Sequence, residues 1–223
     1  MISDKHKFIY IHIPKCGGMY ITNHLVPFSE DLNTGVVGKN SDSIMVRRPC
    51  EKFHKDFGLR YMHASAFELR KYMGDNKYKE YFSFASIRNP WERMISVYFW
   101  GEGAPFNKAA FINNTAPHKN GFECYLDRIK KTFRRSVTPI DYFILNDDGE
   151  IIVDYVFEMK EMQKGLEHCK QELNISFDMD SRRHNVSSHN HYSLYYDDEL
   201  KEMIHENYKW EIDYFNFKFE DKR

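Results

Sequence analysis

An α/β fold with a central, mostly parallel sheet flanked by helices is what this sequence predicts, as a single domain over residues 1–223. Three observations carry the prediction: a strand–turn–helix unit near the N-terminus, a second one at residues 81–100, and a capped helix between them. Strands that alternate with helices feed a parallel sheet. The chain is long enough to bury one substantial core and short for two independent ones, and 42% of its 223 residues are hydrophobic.

The first unit opens with Phe8-Ile9-Tyr10-Ile11-His12-Ile13, whose near-continuous apolar, β-branched and aromatic character suits a buried parallel strand. Pro14 ends it, Lys15-Cys16-Gly17-Gly18 supplies a tight turn, and Met19 to Val26 reads as a helix stopped by Pro27. Ser65-Ala66-Phe67-Glu68 matches a capping box, with Gly74 closing a helix of about two turns. Tyr81 to Ile87 reads as the second strand. Asn89 then acts as N-cap and Pro90 as first residue of a helix reaching about Trp100. Residues 101–121 lack clear periodicity and predict a long loop. A hairpin is expected between Tyr142–Leu145 and Ile151–Tyr155 around Asp148-Gly149, followed by helices near Glu161–Leu173 and Asp197–Tyr208. The aromatic run Tyr214 to Phe219 predicts core or edge-strand packing.

Charge and composition narrow the function. A net charge of −1 offers no global field for nucleic acid or an anionic membrane, so any anion site must be local. No segment resembles a signal peptide or a membrane span, which leads us to expect a soluble, cytoplasmic protein. Cys16, Cys50, Cys124 and Cys169 show no paired spacing and read as reduced thiols. The glycosylation patterns at Asn113, Asn174 and Asn185 are then coincidental.

A glycine turn that opens a helix presents backbone N–H groups at the positive end of the helix dipole. Lys15 adds a mobile charge to such a turn here, although a Lys-x-Gly-Gly loop alone also occurs as a plain structural turn. The Walker A pattern is absent, which weakens the case for ATP or GTP hydrolysis. At the end of the second strand stands Arg88, and Ser96 follows eight residues later, about two helical turns on. A guanidinium fork and a hydroxyl are suited to phosphate oxygens. Arg93 shares that helix, where an arginine more often makes a surface pair.

Ile13-Pro14-Lys15-Cys16-Gly17-Gly18 resembles the 5′-phosphosulfate-binding loop, and Ile87-Arg88-Asn89-Pro90-Trp91-Glu92-Arg93-Met94-Ile95-Ser96-Val97-Tyr98 the 3′-phosphate-binding segment, of carbohydrate sulfotransferases that use 3′-phosphoadenosine 5′-phosphosulfate (PAPS). The likeness is closest to the heparan and chondroitin sulfotransferase branch and its bacterial relatives. It extends through Tyr61 to Ala66 and Tyr192 to Leu200. The resemblance implies a P-loop-like fold, with Lys15, Cys16, Gly17, Gly18, Met19 and Tyr20 around the 5′-phosphosulfate and Arg88 and Ser96 on the 3′-phosphate. One departure matters. Met19-Tyr20 stands where the family commonly has Thr-Ser, with Thr22, about one helical turn beyond Met19, as a partial replacement.

The same resemblance places His63 at the position of the catalytic base and Lys15 beside the oxygen that bridges sulfur and phosphorus. Transfer to an acceptor hydroxyl, expected on a saccharide, would release adenosine 3′,5′-bisphosphate without a metal. His184, His189 and His191 lack the cysteine pair or H-E-x-x-H pattern of a zinc site. Arg182-Arg183-His184-Asn185 reads instead as a basic loop closing on nucleotide. Two alternatives stay open at this level: a P-loop-related small-molecule kinase, and a non-catalytic nucleotide-binding protein favoured by Met19-Tyr20.

Overall fold

A strand inside a parallel sheet is covered on both faces and therefore has no position for a solvated side chain. Phe8, Ile9, Tyr10 and Ile11 meet that demand, all four being buried. The computed structural model describes residues 1–29, 35–37, 44–46, 63–101, 105–115, 137–179 and 189–223. In chain order the elements are β1 (Ile2–Ser3), β2 (Phe8–Ile11), α1 (Gly18–Leu25), β3 (Gly35–Val37), β4 (Ile44–Val46), α2 (Ala66–Met73), α3 (Asp75–Lys79) and β5 (Phe82–Ile87). They continue as α4 (Pro90–Gly101), α5 (Lys108–Thr115), α6 (Asp141–Ile144), β6 (Tyr155–Glu158), α7 (Met162–Leu173), α8 (Asp198–Asn207) and α9 (Lys209–Tyr214). The chain divides into two compact units, one made of residues 1–87 and 142–185, the other of 88–141 and 186–223.

The first unit holds a four-stranded sheet in the order β1-β2-β5-β6. Strands β2 and β5 run parallel with Phe8 opposite Phe82 and Ile11 opposite Ala85. Strands β5 and β6 are also parallel, with Ile87 opposite Glu158, while β1 is antiparallel to β2. The predicted mixed α/β architecture is therefore present, and the carboxyl ends of the parallel strands share one edge. Ligand loops of open α/β sheets lie at that edge. Phe8, Tyr10, Phe84 and Phe157 from the sheet join Ile21 and Leu25 of α1 and Leu166 and Cys169 of α7 in one apolar cluster. The capping box at α2 is complete: the Ser65 hydroxyl accepts from Glu68 N–H at 3.2 Å and the Glu68 carboxylate accepts from Ser65 N–H at 2.7 Å.

The expected hairpin and the expected long loop both differ in the structure. The hairpin is reduced to a single antiparallel bridge, Leu145 to Ile151, because Tyr142 to Ile144 belong to the short helix α6 and Tyr155 to Glu158 join β5 in parallel. A four-residue apolar run fits either element, and burial of Phe143 and Ile144 satisfies it as helix. The loop expected over 101–121 contains α5, started by the Asn107 side chain, which accepts from Ala110 N–H at 2.9 Å, and anchored by fully buried Phe111.

In the second unit α4 is the central element. Trp91 donates its indole N–H to Lys201 O at 3.0 Å, and Tyr196 donates its hydroxyl to Trp91 O at 2.8 Å. Arg93 makes an internal pair rather than a surface one. Its guanidinium is wholly buried, donates to Thr138 O and faces Glu211 at 3.7 Å, while Glu211 also accepts from Ile140 N–H. Burial pushes the Glu211 carboxyl up to about 8, partly offset by the Arg93 charge. The Tyr214–Phe219 run contains no strand: Tyr214 ends α9 and is exposed, whereas Phe217 is packed in the interior.

Candidate active site

Strand β2 ends at Ile11, and the chain must turn sharply to begin α1 at Gly18. Two residues take positive φ to make that turn, Lys15 at 66° and Gly17 at 79°. Gly17 is the N-cap of α1 and offers no capping side chain, while its carbonyl accepts from Tyr20 N–H at 3.0 Å. The first turn of α1 contains no acidic residue. The start of α1 is therefore the positive end of a helix dipole with no acidic side chain in its own first turn.

The turn is braced from behind. Ser86 of β5 donates its hydroxyl to Cys16 O at 2.6 Å, and Cys16 itself is fully buried, its thiol donating to Pro14 O at 3.6 Å. Met159 and Met162, at the entry to α7, close over Gly17 so tightly that a Cβ there would lie 2.6 Å from Met162 Cε and 3.0 Å from Met159 Cγ. Met19 and Tyr20 are partly buried in the first turn. Thr22, further along α1, is buried at 6% exposure.

Next to this loop lies a pair of histidines. His63 Nδ1 is 2.9 Å from the carbonyl oxygen of His12, and the two rings meet edge-on with centroids 4.7 Å apart. His12 continues β2 and is buried. Burial holds its imidazole well below the usual histidine range, with the neighbouring His63 and the N-terminal amine acting in the same direction. His63 is only partly buried and precedes the N-cap of α2 by two residues, so a well-capped helix fixes the chain immediately beyond it.

Arg88 is the first residue of the second unit, immediately after β5. Its Nη2 donates to Glu92 at 2.7 Å across one helical turn, with the Arg88 side chain 12% exposed. Asn89 caps α4 by accepting from Trp91 N–H at 3.1 Å, as the sequence predicts. Ser96 lies further along α4 and is buried at 5% exposure.

A family model described as "Sulfotransferase family" matches residues 1–218. The chain belongs to the sulfotransferase family. Comparison with curated proteins and with solved structures returns no match.

For a sulfotransferase, the structure brings Lys15, Cys16, Gly17, Gly18, Met19, Tyr20 and His63 together in one unit and carries Arg88 and Ser96 on the other. Sequence reasoning missed three supports of the loop: Ser86, Met159 and Met162. Ser86 was detectable as a hydroxyl inside an apolar strand, whereas the methionines follow a strand whose partner is distant in sequence. Among the histidines singled out earlier, His189 is half-buried with Nδ1 2.7 Å from Asn190 O, and His191 Nδ1 lies 2.9 Å from the Ser193 hydroxyl. His184 and the Arg182–Asn185 loop lie outside the described residues, as do Cys50, Cys124, Tyr61 and Met62. A separate group, Glu202, His205 and Glu206, shares a face of α8, but His205 and Glu202 already approach each other at 3.5 Å on a solvent-exposed surface. Among the described residues no helix is long and apolar enough to cross a membrane.

Proposed function

We propose that this sulfotransferase moves a sulfuryl group from PAPS to an acceptor hydroxyl, with a saccharide as acceptor, and that residues 1–223 act as one sulfotransferase domain in the cytoplasm. The observation that carries the reading is the turn from Lys15 to Gly18: a parallel strand enters a helix through left-handed Lys15 and Gly17, with no acid in the first turn and His63 alongside. These residues fit a phosphosulfate. The N–H groups at the start of α1 and the Lys15 ammonium complement its oxygens, and the family match spans both units.

Bound PAPS would supply an activated sulfuryl group on a good leaving phosphate. Lys15 stabilises charge on the leaving oxygen, and the loop amides fix the donor for in-line attack. His63 takes the acceptor proton, a role open to a neutral imidazole near physiological pH. Arg88 and Ser96 hold the 3′-phosphate, Arg88 by sharing or exchanging the contact it now makes with Glu92. Atoms balance as acceptor alcohol plus PAPS giving sulfate ester, adenosine 3′,5′-bisphosphate and a proton.

The experiment is incubation with sulfur-labelled PAPS and a panel of saccharide and small-molecule hydroxyl acceptors. Label transfer to at least one saccharide, together with stoichiometric adenosine 3′,5′-bisphosphate, is expected. Transfer confined to other acceptors would remove the saccharide assignment, and nucleotide binding without transfer to any acceptor would favour the non-catalytic reading.

A further inference from the structure

His12 stands where the loop and the histidine pair meet. On one side its imidazole presses on Gly18, where a Cβ would lie 1.9 Å from His12 Nε2 and 2.1 Å from Cδ2. Gly18 is the first helical residue of α1 and lies outside the left-handed region, so glycine is demanded there by the ring and not by the backbone angle. On another side the ring stacks on Tyr10 at 5.6 Å and 23°, and on the third it meets His63 at 4.7 Å. The ring is thus boxed in by the strand, the donor loop and the base.

The backbone of His12 acts on His63 as well. A carbonyl oxygen only accepts, so the 2.9 Å contact requires His63 Nδ1 to carry the proton, which leaves the lone pair of a neutral His63 on Nε2. Because burial keeps His12 uncharged, a proton gained by His63 meets no second imidazolium at this short range.

We propose that His12 is a positioning residue that couples the donor loop to the base: its ring is the spacer between Gly18 and His63, and its carbonyl sets the His63 tautomer with Nε2 as proton acceptor. The proposal rests on the reading of His63 as the base. Turnover variants of His63 test that reading, whereas the tautomer is readable without catalysis.

Nitrogen-15 spectra of histidine-labelled protein provide the test, with His63→Ala identifying the His63 signal. They are recorded above the ordinary histidine pKa of about 6.5, where the neutral ring dominates. A protonated Nδ1 and a bare Nε2 on His63 are expected; a protonated Nε2 overturns the proposal. Removing the spacer in His12→Ala should mix the two tautomers and lower turnover about 10- to 100-fold, the scale of a misplaced catalytic group. Affinity for adenosine 3′,5′-bisphosphate should change far less. His12→Gln, which has similar volume and no titrating ring, should recover most of the lost turnover. Full activity in His12→Ala would overturn the spacer role, and a glutamine variant as inactive as alanine with an unaltered His63 tautomer would make His12 a chemical participant instead. Gly18→Ala should be damaging in the wild-type background and nearly silent beside His12→Ala; equal damage in both backgrounds contradicts the contact.

Discussion

The loop at residues 15–18 and the segment from Arg88 to Ser96 are built on opposite principles, although both are read as recognising phosphate groups. In the first, left-handed Lys15 and Gly17 bend the chain so that the opening of α1 presents backbone N–H groups. In the second, Pro90–Gly101 is a regular helix, with Arg88 just before it and Ser96 within it. The first depends on backbone shape, so its neighbours Ser86, Met159 and Met162 matter to it. On the proposed reading the second relies on two individual side chains, Arg88 and Ser96.

The largest expected effect belongs to His63, beside the loop. His63→Ala should lose about 10²–10⁴-fold in turnover, the range for a positioned general base, while nucleotide affinity is retained. Steady-state kinetics with saturating acceptor, paired with calorimetry, separates the two quantities. Wild-type turnover in the folded variant would remove His63 from the mechanism. Lys15→Ala should differ in kind, weakening nucleotide binding and lowering turnover by about 10²-fold, as loss of a transition-state donor does.

Gly17→Ala sharpens the contrast because it removes no functional group. Alanine must hold φ near 79° and crowd Met162 at 2.6 Å, so the loop has to shift. The strain alone is worth about 1–2 kcal/mol. Nucleotide affinity should fall about tenfold or more through displaced N–H groups. An unchanged dissociation constant would show that the loop shape is not what binds.

His12 in one unit and Glu211 in the other are both buried, and the two lean in opposite directions. Glu211 is raised to about 8 from an unfolded value of 4.5, so its stabilisation is complete below pH 4.5 and is lost as pH rises through about 8. His12 is depressed below 6.5, so its contribution is present above pH 6.5 and is lost on acidification. Thermal melts across this range should show Glu211→Gln flattening the alkaline side and His12→Gln the acid side. Parallel pH profiles for wild type and both variants would contradict these assignments.

Much of this was legible in the sequence because the signals are local. The apolar run before Pro14, the paired glycines after Lys15 and the Ser65/Glu68 box each lie within a few residues, and each forms as read. What escaped was non-local. Tyr155 to Glu158 pairs with a strand about seventy residues earlier, so local alternation pointed to a hairpin that the sheet overrides. Helix α5 escaped because its apolar face is little more than Phe111. Lys15, His63 and Arg88 were readable as residue types, and the resemblance implied their proposed roles. The placement of the His12 ring against Gly18 was not readable, since contact across a turn leaves no periodicity.

Recognition of adenosine 3′,5′-bisphosphate is tested by calorimetric titration of wild type, Ser96→Ala and Arg88→Ala. A charge-assisted hydrogen bond contributes about 1.5–3 kcal/mol and a neutral one about 1 kcal/mol. The predicted result is binding by wild type, modest weakening in Ser96→Ala and a larger loss, about 10- to 100-fold, in Arg88→Ala. Equal affinities for wild type and Arg88→Ala would contradict the assignment of Arg88 to the 3′-phosphate.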